Sequence, residues 1–150
     1  MEATFKAVVE FQISTRWTGT KRVVKVKVYD DLVRLRRDAD RWDDRRGISG
    51  TNANAYGVCH RFERALIHEG GAEESTPYCA YIRLLKDACR TGVITHECTH
   101  AALWIYQLGN DMKMDPMVED IEKEEELCYL VGDLSSKVVS KLYEHGVLPG

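Results

Sequence analysis

Residues 91–108 constrain this chain more than any other segment. Val93, Ile94, Ala101, Leu103, Trp104, Ile105 and Leu108 make the stretch apolar on most sides, and Gly109-Asn110 follows as a helix stop. Such a helix belongs inside a protein rather than on its surface. Yet it carries His96-Glu97-Cys98-Thr99-His100, an H-E-x-x-H pattern. Unpaired polar groups in an apolar setting are expensive, so the fold must provide them with partners. Residues i and i+4 share one helix face, so His96 and His100 can grip one metal ion together. Glu97 then stands beside that ion, placed to take a proton from a bound water.

Zinc in a catalytic site takes at least three protein ligands, so a third donor is expected. Downstream of His100 the histidine is His145, close to the C-terminus, whereas Glu122, Glu124, Glu125 and Glu126 crowd together. Residues from about Met117 to Tyr143 read as a long helix. Its apolar stripe is formed by Leu127, Cys128, Leu130, Val131, Leu134, Val138 and Leu142. At about 100° per residue, Glu124 falls near the middle of that stripe. Glu125 points roughly away, and Glu126 lies on the flank. The expected set is therefore His96, His100 and Glu124, with Glu125 and Glu126 as alternatives and Glu97 as general base. Tyr143, His145, His60, His68 and Tyr81 are candidates for stabilising a developing oxyanion.

The other elements follow from local pattern. Residues 4–15 alternate as a strand. Thr18-Gly19-Thr20 reads as a turn, and Val24, Val26 and Val28 alternate with Lys25 and Lys27 in a second strand, so the two can pair as a hairpin. Asp30 or Asp31 caps a surface helix over residues 31–45, marked by Leu32, Leu35, Ala39 and Trp42. Residues 47–54 form a loop. Residues 55–68 fit either a helix or a strand, with extended structure favoured at the start. A polar loop from Glu69 to Pro77 leads into a β-rich strand, Tyr78 to Leu85.

The 150 residues suit a single domain spanning 1–150 with a real core. A net charge of -3 gives no general attraction to nucleic acid. The arginines between Arg34 and Arg46 are interleaved with aspartates, which reads as a self-paired surface. No apolar stretch is long enough to span a bilayer, and no signal peptide is evident. The cysteine count of 5 is odd and lacks C-x-x-C, as expected of small packed residues in a reducing cytoplasm.

With these residues in place, the chain resembles the gluzincin class of zinc metallopeptidases, which carry H-E-x-x-H on one helix and a glutamate on a following helix. More narrowly, it looks like the short metallopeptidase-like proteins encoded by phages and prophages. The likeness rests on Gly92 to Leu103 and on Glu124 to Leu134, and before residue 92 it is architectural. It implies an α+β, minimal zincin-like fold: a small, mostly antiparallel sheet packed on a buried H-E-x-x-H helix and a long C-terminal helix. It also implies Zn2+ as cofactor, a peptide or protein as substrate, no nucleic-acid or membrane partner, and the host cytoplasm as location. Tyr78 to Leu85 stands where the class has its edge strand, along which a peptide can lie. The chain departs from the larger enzymes in lacking Glu-x-x-x-Asp in its final helix: Cys128 follows Glu124 and Tyr129 follows Glu125. No carboxylate is thereby assigned behind a metal-binding histidine. The expected function is hydrolysis of a peptide bond by metal-activated water. The alternative is a zincin-fold binding module with structural zinc that acts on a protein partner.

Overall fold

The computed structural model describes residues 7–48, 52, 55–62, 77–110 and 121–149. Strands β1 (Ala7–Thr15) and β2 (Arg22–Tyr29) form the expected antiparallel hairpin. Its turn contains Gly19 at φ 90°, a conformation that favours glycine. Helix α1 (Leu32–Arg45) follows, then β3 (Gly57–Arg61), β4 (Tyr78–Leu85) and a 3₁₀ turn at Lys86–Ala88. Two long helices complete the fold, α2 (Thr91–Gly109) and α3 (Ile121–Glu144). Asp31 caps α1: its carboxylate accepts from the backbone N–H of Val33 at 2.8 Å and of Arg34 at 3.3 Å.

The class is α+β, and the sheet is mixed: two of its three strand pairings are antiparallel and one is parallel. Its order is β1-β2-β4-β3, with β2 and β4 parallel and the outer pairings antiparallel. A parallel pair needs a crossover, and α1 together with β3 supplies it. The expected edge strand, Tyr78 to Leu85, is therefore interior, and β3 is the edge beside α2. The physical reason lies in β4 itself. Cys79, Ala80, Ile82, Arg83 and Leu84 are all buried, so both faces of that strand are covered, as an interior position requires.

One face of the sheet carries the apolar core. Val24, Val26 and Val28 lie beside Ala80, Ile82 and Leu84 in register, under Ile94, Cys98, Ala101 and Ile105 of α2. Leu130, Leu134, Val138 and Leu142 of α3 close it. Each buried valine, leucine or isoleucine here contributes about 1.5–3 kcal/mol by leaving water. The other face meets α1 through Leu35 and Ala39 and through a polar set that includes Tyr29, Arg83 and His60. Cys128, expected within the apolar stripe of α3, is exposed, as is Trp17, which stacks on exposed Tyr129 at 4.7 Å.

The helices α2 and α3 pack antiparallel. Asn110, just past the end of α2, donates to Glu126 near the start of α3 at 2.8 Å. Further along, the Cys98 thiol sits against the Ser135 hydroxyl. Among the described residues, no helix is long and apolar enough to cross a membrane.

Candidate metal centre

His96, Glu97 and His100 each offer a ligand atom, and these atoms lie within 4.8 Å of one another. Helical spacing alone does this. The imidazoles of His96 and His100 are 4.9 Å apart, centroid to centroid, at 78° to each other. Both histidines are exposed, while Glu97 is only 5% exposed. The helix thus presents two imidazoles at a surface and keeps the carboxylate beneath them.

The surface is the floor of a cavity of about 380 Å³, walled on its far side by Gly57, Cys59 and Arg61 of β3. Strand register explains which β3 side chains reach it. Gly57, Cys59 and Arg61 pair with Leu84, Ile82 and Ala80, all on the α2 side of the sheet, whereas His60 between them faces α1. Gly57 is where the backbone comes closest to Glu97. A Cβ there would lie 3.0 Å from Glu97 Oε2 and 3.0 Å from Val93 Cγ1. The missing side chain is what lets the carboxylate tuck under the strand.

Burial raises the pKa of Glu97, and the neighbouring His96 works in the opposite direction. Burial also lowers the pKa of His100, reinforced by His96 and Arg61. A neutral imidazole keeps a lone pair for a cation. Two imidazoles beside a carboxylate are a donor set that suits zinc. Among the described residues, neither histidine hydrogen-bonds a carboxylate through its second nitrogen.

Glu124 is not brought to this group. It is half-buried, as its place on the helical stripe predicts, but it stands at the wrong height. Ser135 is the α3 residue beside Cys98, and Glu124 precedes it by eleven positions, about 16 Å along the helix axis at 1.5 Å per residue. Glu125 and Glu126 share that end, and Glu126 is occupied with Asn110. The expected oxyanion groups also lie elsewhere. His145 stacks on Phe11, Tyr143 is exposed near the end of α3, and His60 and Tyr81 stand on the α1 face. His68 falls outside the described residues.

The α1 face holds a separate polar chain. Buried His60 accepts at Nε2 from Arg83 Nε at 3.0 Å. Arg83 Nη1 donates to the Tyr29 hydroxyl at 2.6 Å, which donates to Asp38 at 2.8 Å. Asp43 lies 3.6 Å from His60 Nδ1, and Trp42 stacks on the ring at 4.8 Å. Burial, then Arg83 and Arg46, push the His60 pKa down to about 3, so the ring is neutral with its proton on Nδ1.

Gly57 and Arg61 escaped sequence reasoning because they lie far from the motif in the chain, in a segment whose periodicity fits helix and strand alike. An isolated glycine opening a strand is the signal that points to close backbone approach. No protein-family model, no curated protein and no solved structure matches this chain.

Proposed function

We propose that this protein is a small zinc-dependent peptide hydrolase. The observation that carries the reading is the convergence of the His96, Glu97 and His100 donor atoms within 4.8 Å, at a cavity walled by an edge strand. His96 and His100 would hold the zinc, and among the described residues Glu97 is the one further donor grouped with them. When bound, zinc acts as a Lewis acid that activates water and polarises the substrate carbonyl. Glu97 takes the proton from the attacking water and returns it to the leaving amine. Its raised pKa brings it closer to the working pH, which suits a group that must both accept and donate. Its seat against Gly57 limits how far the carboxylate can swing. The outer edge of β3 offers backbone N–H and C=O groups along which an extended peptide can pair. A peptide or protein is accordingly the proposed substrate. The five free thiols support a reducing, cytoplasmic setting.

The test is metal analysis of purified protein together with Glu97→Gln. About one zinc per chain is expected, retained in the variant, with hydrolysis of a casein or quenched-peptide substrate lost. Absence of zinc uptake, or hydrolysis that survives Glu97→Gln, overturns the assignment.

A second reading is a zinc-holding binding module acting on a protein partner. It is favoured by the lack, among the described residues, of a carboxylate behind either histidine, a support whose removal weakens metal sites about 10–100-fold. Under this reading Glu97→Gln leaves the biological task intact.

A further inference from the structure

We infer that Arg61 is a specificity-determining residue that reads a carboxylate on the substrate, so that the cavity takes acidic peptides. The inference rests on the hydrolase reading above and names the substrate class of that site.

Three observations carry it. First, Arg61 lines the same cavity as His96, Glu97 and His100. Second, its guanidinium carbon stands over the Trp104 ring, 5.0 Å from the centroid, and Trp104 is buried. A guanidinium held by its face on an indole keeps its in-plane N–H donors available, and those match a carboxylate's two oxygens. Third, among the described residues the Arg61 side chain has no carboxylate partner and no hydrogen bond. Other arginines are engaged: Arg34 pairs with Asp38, Arg36 donates to the Ala55 carbonyl, and Arg83 donates to His60 and Tyr29. Among the described residues the one carboxylate of the cavity lining, Glu97, is buried under Gly57 at the other end of β3. Gly57 and Arg61 are four positions apart along the strand, about 13 Å.

Position follows from the same geometry. Trp104 lies one helical turn beyond His100, about 6 Å along α2. At about 3.3 Å per residue of extended peptide, Arg61 reaches a substrate group about two residues from the bond held at the histidines. That group is an aspartate or glutamate side chain or a C-terminal carboxylate. The chain's net charge of -3 gives no general pull on acidic peptides, so a preference for them must be local.

The experiment uses the zinc-loaded full chain and quenched octapeptides in which a single Glu, Gln or Lys is scanned along a neutral background, each with free and amidated C-termini. A glutamate at one position should raise kcat/KM about tenfold or more over glutamine. Arg61→Ala should bring the Glu peptide down to the Gln level, mainly through KM. Arg61→Lys should restore part of the preference, and Arg61→Glu should shift it to the Lys peptide. If amidation rather than position removes the preference, the terminal carboxylate is the group read. Equal cleavage of Glu and Gln peptides with free and amidated ends overturns the inference while the hydrolase reading stands. So does an Arg61→Ala loss that falls on kcat for all peptides alike.

If no peptide is cut, anisotropy of fluorescein-labelled Glu and Gln octapeptides on the same protein separates the two claims. Tighter binding of the Glu peptide, abolished by Arg61→Ala, sustains the carboxylate site without the hydrolase. Equal binding overturns it.

Discussion

Replacing His60 with glutamine should flatten the acid limb of the stability curve, and the size of the change follows from the buried chain on the α1 face. In the folded protein His60 is 4% exposed, and its Nε2 lone pair is taken by Arg83. A proton there would set N–H against N–H beside a guanidinium. Asp43, 3.6 Å from Nδ1, is too distant for a hydrogen bond and does not offset this. The folded pKa is therefore pushed from 6.5 down to about 3. The sign is that of a base kept neutral by folding. Its contribution is present in full above 6.5 and is lost as pH falls toward 3, because only the unfolded chain takes up the proton. The slope is about 1.4 kcal/mol per pH unit, which amounts to about 2–3 kcal/mol between pH 7.0 and 4.5. Glutamine can still accept from Arg83 but does not titrate. Urea unfolding followed by tryptophan fluorescence, with Trp42 stacked on the ring as a reporter, measures both proteins at both pH values. Carboxylates titrate in both and cancel in the difference. The wild type should lose about 2–3 kcal/mol more than His60→Gln over this range; parallel losses would refute a neutral, Arg83-bound histidine.

Other expectations concern the metal centre and the helix that braces the sheet. Gly57→Ala forces a Cβ to within 3.0 Å of Glu97 Oε2 and Val93 Cγ1, and overpacking of this kind costs about 1–3 kcal/mol. Calorimetric unfolding should show that loss, with hydrolysis reduced and zinc uptake retained; an unchanged protein would mean the strand is free to move away. Glu124→Gln should leave zinc affinity unchanged, while His100→Ala should abolish uptake; a tenfold weakening in the glutamate variant, read by chelator competition, would return Glu124 to the ligand set. Asp31→Ala removes the α1 cap and should cost about 1 kcal/mol in urea unfolding.

Much of the architecture was legible in contiguous residues. The strands at Arg22–Tyr29 and Tyr78–Leu85, the capped helix after Asp31, and the helix carrying His96 and His100 each follow from a local period. The histidine pair is legible for the same reason, since four residues of helix bring two side chains together without help from the rest of the fold. Glu124 marks where such reasoning stops. A helical wheel predicts the angle a residue takes around its axis, and Glu124 is half-buried as that angle requires. It says nothing of height along the neighbouring helix, and antiparallel packing from Asn110 to Glu126 sets that height far from the histidines.

Strand order divides in the same way. The run Tyr78–Leu85, apolar except for Arg83, carries the signature of an interior strand, although its position before the motif helix suggested an edge. Which strand became the edge depended on the parallel pairing of β2 with β4, a contact between residues more than fifty positions apart. That pairing put β3 beside α2, and with it Gly57 against Glu97 and Arg61 over Trp104. The sequence by itself determined the elements and the pairing of the two histidines on one helix face, because backbone periodicity acts over one or two turns. Only the tertiary structure decided what surrounds that pair, because burial of apolar faces rewards any partner that covers them, and the choice among partners is made by the whole chain at once.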